Sequence, residues 1–467
     1  MTKYVDAMAK LSWKEKISFS SGELGIQLLF SVMSSYLLVY YTDFAHVNPG
    51  LVATVMFVSK ILDAFSDVLM GALQEKFAKP GAKARPWIIK ACIPYAISAV
   101  LMFSVPDFSN TIATLVYIFI TYNLFCTVFY TMMSIPFFSL GSLITQNSKE
   151  REMVGVLRSI FTTICSTVVN SFTMTFIGWA GGTKISWTIV ISIFAVISML
   201  AFFLAYKNTT ERVIVDDTNT EKHKNAANLS VSDNMKLLFQ NKYWLILTLV
   251  AILTNMTIAA NSGSLFFYLK NVLGHPEAIA VCGMLLSMPM LVLIPLSKPL
   301  VAKFGKRNMC AAGCAVMGLS RLFVWLAGDN LPLVFAGTFL FSVGCATTWT
   351  GAPMLWDTVE YGEWKTGVRQ DGFIMSAQSF GQKVGTAIGT ALVGWILAWT
   401  GYNGAAEVQT KLALMGITID YVWLTVIFCM LNALLMFGFY HLDREYPQIV
   451  EELQARKLRV KKSTADK

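Results

Sequence analysis

Asp63 and Asp67 lie four residues apart in Val58-Ser-Lys-Ile-Leu-Asp-Ala-Phe-Ser-Asp-Val-Leu-Met-Gly71, inside an apolar stretch long enough to cross a bilayer. One ionised carboxylate at the centre of a membrane helix costs about 2.5–3.5 kcal/mol on insertion scales, so it needs a partner. At this spacing the two side chains sit about 40° apart round a helix and about 6 Å along it. Like charges that close do not both stay ionised in a low dielectric unless a cation lies between them or one takes a proton. The pair is therefore suited to bind Na⁺ or to carry H⁺. The simpler alternative is that Lys60, three residues before Asp63, neutralises one carboxylate and the cluster only ties helices together.

Lys383 is a second charge in an apolar run, Ser376-Ala-Gln-Ser-Phe-Gly-Gln-Lys-Val-Gly-Thr-Ala-Ile-Gly389. It sits too deep for an easy escape to the headgroups, so it calls for a negative partner: the Asp63 and Asp67 cluster, or an acidic substrate. Arg158 is less deeply placed, seven residues beyond Arg151, and can snorkel. Gly381, Gly385 and Gly389 repeat every fourth residue around Lys383, a pattern that permits close helix contact. Pro94, Pro136, Pro289, Pro295 and Pro353 fall within or near helix ends, where kinks form.

Helices must position these charges in a membrane, because 55% of the residues are apolar and only 14% are charged. Apolar runs of bilayer length give roughly twelve spans. They fall near 24–45, 51–75, 87–105, 112–140, 153–178 and 186–206, then 243–269, 277–302, 308–327, 332–356, 372–399 and 416–440. The expected architecture is an all-α membrane protein with an N-terminal six-helix bundle (1–206), a polar linker (207–242), a C-terminal six-helix bundle (243–442) and a basic tail (443–467). Lys76, Lys79, Lys83, Arg85, Lys149, Arg151, Lys298, Lys303, Lys306, Arg307, Lys365 and Arg369 all fall on one side of this topology. By the positive-inside rule both termini and the linker are then cytoplasmic.

The net charge of +9 is largely accounted for by these loops and the tail, so no nucleic-acid partner is invoked. The eight cysteines lie almost wholly in apolar spans, and Cys310 and Cys314 lack acidic or histidine neighbours at ligand spacing. Met1 to Lys16 is polar and does not read as a cleavable signal peptide. With no nucleotide-binding motif, no Ser-His-Asp arrangement and only four histidines, neither an ATP-driven pump nor a hydrolase is expected, and no cofactor.

The run Lys60-Ile-Leu-Asp-Ala-Phe-Ser-Asp-Val-Leu-Met-Gly71, the turn Lys83-Ala-Arg-Pro-Trp87 and the stretch Trp356-Asp-Thr-Val-Glu-Tyr-Gly-Glu-Trp-Lys-Thr-Gly-Val-Arg369 resemble the glycoside-pentoside-hexuronide:cation symporters, the melibiose permease-like group of the major facilitator superfamily. Details such as Val359-Glu-Tyr-Gly-Glu and Ser264-Leu-Phe-Phe-Tyr268 are similar to the glucuronide and sulfoquinovose branches. The resemblance, from about Leu11 to Glu452, implies a monomeric alternating-access symporter of the bacterial inner membrane, co-transporting a small sugar or glycoside with H⁺ or Na⁺. It implies cation-site roles for Asp63 and Asp67, a substrate-pocket role for Lys383 and Arg158, and a cytoplasmic gate made by Asp357, Glu360 and Glu363 with Arg369.

Two positions depart from the family pattern: Gln27 stands where a sugar-binding aspartate is expected in span one, and Ser134 stands for an aspartate in span four. The loss at Ser134 weakens a Na⁺ site, which wants several oxygen ligands, more than a proton site, so H⁺ is favoured. The loss at Gln27 makes the pocket less acidic and suits an anionic glycoside. Gln27, Phe138, Trp349 and Gln378 are further candidates for sugar contacts, supplying aromatic faces and amides. Two competing readings are a Na⁺-coupled carrier of a neutral glycoside and a lipid flippase of the same superfamily. A sugar sensor is less well matched, because the short tail leaves no room for a regulatory domain.

Overall fold

The computed structural model describes residues 10–76, 84–145, 147–212, 231–348, 354–368 and 370–465. The N-terminal helices are α1 (Trp13–Val39), α2 (Pro49–Lys76), α3 (Arg85–Met102), α4 (Thr111–Asn123), α5 (Thr131–Ile144), α6 (Ser148–Trp179) and α7 (Lys184–Asn208). After α8 (Val231–Phe239) come α9 (Lys242–Phe267), α10 (Ile279–Phe304), α11 (Lys306–Ala327), α12 (Leu331–Thr348), α13 (Met354–Thr366), α14 (Asp371–Trp399), α15 (Lys411–Thr418), α16 (Leu424–Phe439) and α17 (Leu442–Ala465). Four π-helical segments extend or join them, at Tyr40–Phe44, Leu124–Tyr130, Tyr268–Val272 and Ile419–Trp423.

Among the described residues, nine helical segments are long and apolar enough to cross a bilayer. Helices α2, α3 and α14 occupy the other three expected positions and carry charges such as Asp63, Lys90 and Lys383. A helix in lipid must satisfy its backbone groups internally, and its exposed ends are where caps act. Ser12, Asn110, Asn147, Asn241 and Thr410 each accept a hydrogen bond from the first turn of the helix they precede, and Thr183 and Ser186 form a capping box.

The first span begins eleven residues earlier than hydropathy suggests, because its polar residues are buried and paired. Glu15 accepts from both terminal nitrogens of Arg212 at 2.6 and 2.8 Å, and Lys16 lies 2.7 Å from Glu150. Residues 213–230 of the expected linker lie outside the described residues, while Leu238 of α8 is buried with Trp244, Val359 and Ile374. The basic tail is helical: α17 buries Ile449 and Leu453 against the C-terminal helices, and Trp364 donates to Glu452 at 2.7 Å.

Among the described residues, the N-terminal helices join the C-terminal ones chiefly through α2 with α14, α6 with α10, and α1 with α9. Ser35 faces Ser262 and Asp43 faces Lys270, so α1 and α9 run side by side in the same direction. Both continue into a π turn at equivalent places. Glycines bring backbones together at these seams: a methyl group at Gly394 would lie 2.4 Å from the Ala53 Cβ, and one at Gly283 only 2.7 Å from the Asn170 carbonyl carbon. Gly385 and Gly389 do the same within the C-terminal helices, where an added Cβ would meet the Ile252 and Met256 carbonyl oxygens at 2.4 and 2.6 Å.

Candidate functional site

Two clusters of charge stand out, one at the seam between α2 and α14 and one on the N-terminal helices α1 and α6. The first centres on Asp63 of α2, which is buried at 4% exposure. Lys383 reaches it from α14, its ammonium 3.3 Å from Oδ2 and also donating to the Asp63 carbonyl at 3.3 Å. Lys60 stands on the other side at 4.0 Å, over the ring of Phe30. The Ser66 hydroxyl is 3.4 Å from Asp63 Oδ1 and shares a hydrogen bond with Thr131 of α5. Asp67 is one turn further along α2, and its side chain lies outside the described residues. Ser134 is buried but makes no hydrogen bond to the described residues of this cluster; the hydroxyl that α5 does contribute is Thr131, which nothing in the sequence marked.

The second cluster lines a cavity of about 880 Å³, within the range for small-molecule sites. Arg158 of α6 donates from Nε and Nη2 to Glu23 Oε2 at 2.9 and 2.7 Å, and Gln27 donates to Glu23 Oε1 at 3.3 Å. Phe138 is exposed, with its ring 4.9 Å from the Arg158 guanidinium carbon. Glu23 and Arg158 are the only charged residues lining the cavity among those described, and they neutralise each other. The expectation that α1 brings no carboxylate here is not met, since Glu23 stands one turn before Gln27. The physical reason is that an acid paired to an arginine 135 residues further along the chain leaves no mark in local hydropathy; only its i, i+4 spacing from Gln27 could have pointed to it.

The blind end of the cavity is polar. The Ser35 hydroxyl donates to Asn170 Oδ1 at 2.9 Å and lies 3.0 Å from the Ser262 hydroxyl, joining α1, α6 and α9. Beyond it, at the end remote from the termini, Asp43 accepts from Lys270 at 2.6 Å and from the Tyr402 hydroxyl at 2.9 Å, and Trp395 donates to Thr54 at 3.0 Å. Gly155 and Val156, from the third turn of α6, line the opposite part of the cavity, so it extends towards the end that carries the termini.

The other residues named from sequence lie elsewhere. Gln378 accepts from Thr248 at 3.1 Å and is not among the residues lining the cavity. Asp357 pairs with Lys306 at 2.7 Å, and Glu360 accepts from the Tyr446 hydroxyl of α17. Burial pushes the Asp357 carboxyl above the ordinary carboxylate range, against the opposing pull of Lys306. Glu363, on α13, has an interaction partner as well. Trp349 and Arg369 lie outside the described residues.

A family model described as MFS/sugar transport protein matches residues 18–444. The chain belongs to this MFS/sugar transport protein family. Curated relatives include the isoprimeverose transporter of Lactiplantibacillus pentosus, 29% identical over 452 residues that cover 95% of this chain and 92% of the relative. A glucuronide carrier protein homolog of Escherichia coli (strain K12) is 30% identical over 470 residues, covering 96% and 97%. Among solved structures, a D-xylose-proton symporter superposes with a TM-score of 0.64 at 13% identity, covering 92% of this chain and 98% of that one, which shows the shared fold. The MFS/sugar transport fold and family make the protein a multi-pass membrane transporter of the secondary type, not an enzyme.

Proposed function

We propose that the protein imports a neutral glycoside by symport with H⁺ across a bacterial inner membrane, with two six-helix bundles, 1–206 and 243–442, rocking about the cavity. The observation that carries this reading is the ion pair between Asp63 and Lys383. It places a carboxylate that can take a proton on the α2 and α14 seam, one of the surfaces that must part for alternating access. Protonating Asp63 removes the charge that holds Lys383, so proton binding loosens that seam. Helix α1 lies between the two clusters: Phe30 lies under Lys60, and Gln27 and Glu23, one and two turns earlier, face the cavity.

The ammonium groups of Lys60 and Lys383 crowd the side of Asp63 where a Na⁺ would need oxygen ligands, which favours H⁺. Neutrality of the substrate follows from the mutual neutralisation of Glu23 and Arg158, since a carboxylate or sulfonate entering the cavity would find no free cation among the lining residues. With both termini cytoplasmic, the contacts of Asp43 and Trp395 close the outer side, and the cavity faces inward. In that state Asp357 pairs with Lys306 of the same bundle and Glu360 accepts from Tyr446 of the tail helix α17.

The test is external pH in lightly buffered, de-energised cells after adding methyl β-xyloside, methyl β-glucoside or methyl β-glucuronide, with and without Na⁺. Alkalinisation by a neutral glycoside, lost in Asp63→Asn while counterflow survives, is the expected result. Uptake that rises with Na⁺ while the medium stays flat defeats the proton, and unchanged concentrative uptake in Asp63→Asn defeats the coupling role of this carboxylate.

A further inference from the structure

Behind the cavity wall lies a buried cation on α11. Arg321 is fully buried, its guanidinium carbon 4.1 Å from the centre of the Phe341 ring and 4.5 Å from that of Tyr421. Its Nη2 donates to Asn261 Oδ1 at 3.1 Å, while Nε and Nη1 are buried without an acceptor among the described residues. No carboxylate pairs with it among the described residues. A buried charge in this condition is a poor source of stability, so its use lies elsewhere.

Asn261, on α9, is 3% exposed and lines the cavity together with Phe341, whereas Arg321 sits behind both and does not reach the cavity surface. A guanidinium can only donate, so the amide oxygen of Asn261 must face it. That fixes the amide, and its Nδ2, a two-proton donor, is left buried with no partner among the described residues. Across the cavity stand Glu23, Gln27 and Arg158, an array of acceptors and donors supplied wholly by α1 and α6. The C-terminal wall is otherwise mainly apolar around Leu265, Phe266, Met290 and Leu291, with hydroxyls at Ser262 and Ser287.

We propose that Asn261 donates a hydrogen bond to one hydroxyl oxygen of the glycoside from the C-terminal side, and that Arg321 is its positioning residue. The proposal rests on the reading of the cavity as a glycoside site. A donor held rigid before the sugar arrives loses little freedom on binding, and a sugar lacking that hydroxyl leaves the amide unpaired, so the arrangement selects for one substrate hydroxyl.

The test uses the full-length protein in liposomes, with methyl β-xyloside, methyl β-glucoside, methyl β-glucuronide and their monodeoxy analogues measured by counterflow. In Asn261→Ala the parent glycoside loses about tenfold in KM, while one monodeoxy analogue, already weak with the wild type, is transported as well as before. Arg321→Leu reproduces that pattern with the same analogue, and Arg321→Lys restores part of the affinity; maximal rate is little changed in each. Asn261→Ser, a smaller change, repeats the comparison where Asn261→Ala does not assemble. Equal losses for the parent and every deoxy analogue, or a fall in maximal rate alone, overturn the proposal. A wild type that transports none of the three glycosides overturns the underlying reading of the cavity instead.

Discussion

Replacing Glu23 with Gln should turn the cavity towards anionic sugars. The carboxylate is 5% exposed at its side chain and takes two hydrogen bonds from Arg158, whose side chain is 24% exposed. Glutamine preserves the shape and the link to Gln27, but leaves the guanidinium uncompensated beside Phe138. A substrate carboxylate brought to about 4 Å of that cation gains about 4 kcal/mol at an effective dielectric constant of about 20, before its own desolvation is subtracted. If roughly two thirds is lost to desolvation, about 1.4 kcal/mol remains, or about tenfold in relative kcat/KM for methyl β-glucuronide over methyl β-glucoside. Lost charge-assisted hydrogen bonding should also cost about 1.5–3 kcal/mol of stability, reduced by the partial exposure of Arg158. Both quantities are measurable in one preparation, by competitive uptake of the two labelled sugars into liposomes and by thermal unfolding of the purified protein. A selectivity ratio within about twofold of the wild type, in protein that unfolds at the expected lower temperature, would show that the Glu23 and Arg158 pair does not set substrate charge.

Other perturbations test the seams. Gly283→Ala drives a methyl group into the α6 backbone at Asn170 and Ser171, and overpacking of about 1–3 kcal/mol should shift the population away from the state described here by about tenfold or more. The readout is labelling of Ser262→Cys by an impermeant maleimide from outside, which should speed up; an unchanged rate refutes the assignment of this seam to the closed outer side. Asp43→Asn weakens the links to Lys270 and Tyr402 and should raise the same labelling rate, whereas a slower rate would mean that these contacts do not hold the outside shut. Removing the chain after Leu442 strips Ile449 and Leu453 from the C-terminal helices, each worth up to about 1.5–3 kcal/mol, so thermal stability should fall, and an unchanged unfolding temperature would show that α17 is not docked in the membrane-bound protein.

Most of the helical architecture can be read from hydropathy, because lipid forces the backbone into helices and the apolar runs mark where they lie. The errors sit where charges are paired inside the bundle. Glu15, Lys16 and Glu23 belong to the first span, yet each lowers its local hydropathy, and their partners Arg212, Glu150 and Arg158 are far along the chain. Asp63 and Lys383 stood out because each is a charge inside an apolar run, while Glu23, close behind Lys14, Glu15 and Lys16, did not; Arg321 carries the same signal as the one charge within 308–327. Asn261 illustrates the other limit: an asparagine in a membrane helix is unremarkable until the structure sets a guanidinium behind it and a cavity before it. The tail was legible as basic but not as docked, because its contacts depend on Glu360, Trp364 and Tyr243 converging from two other helices.

Two ties between the halves differ in kind, and the difference bears on coupling. At the end remote from the termini, Asp43 is held by one ammonium and one phenol, joining the equivalent π turns of α1 and α9 to the loop after α14. Deeper in the seam, Asp63 is held by Lys383, with Lys60 in reserve at 4.0 Å. When a proton neutralises Asp63, the charge attraction between Asp63 and Lys383 across the seam is lost, and the remaining hydrogen bond to the Asp63 carbonyl is a weaker tie. In the proposed orientation, opening towards the outside breaks the Asp43 contacts, whereas loosening α2 from α14 near Asp63 requires only that the carboxylate lose its charge. A carrier with both ties intact would be expected to transport only when proton and glycoside are bound together, and one lacking the deeper tie should leak one without the other. Lys383→Gln, which keeps Asp63 and removes the cation, separates these cases: proton leak without glycoside should rise in liposomes under an imposed potential, and a leak no greater than wild type would show that the Asp63 and Lys383 pair does not enforce coupling.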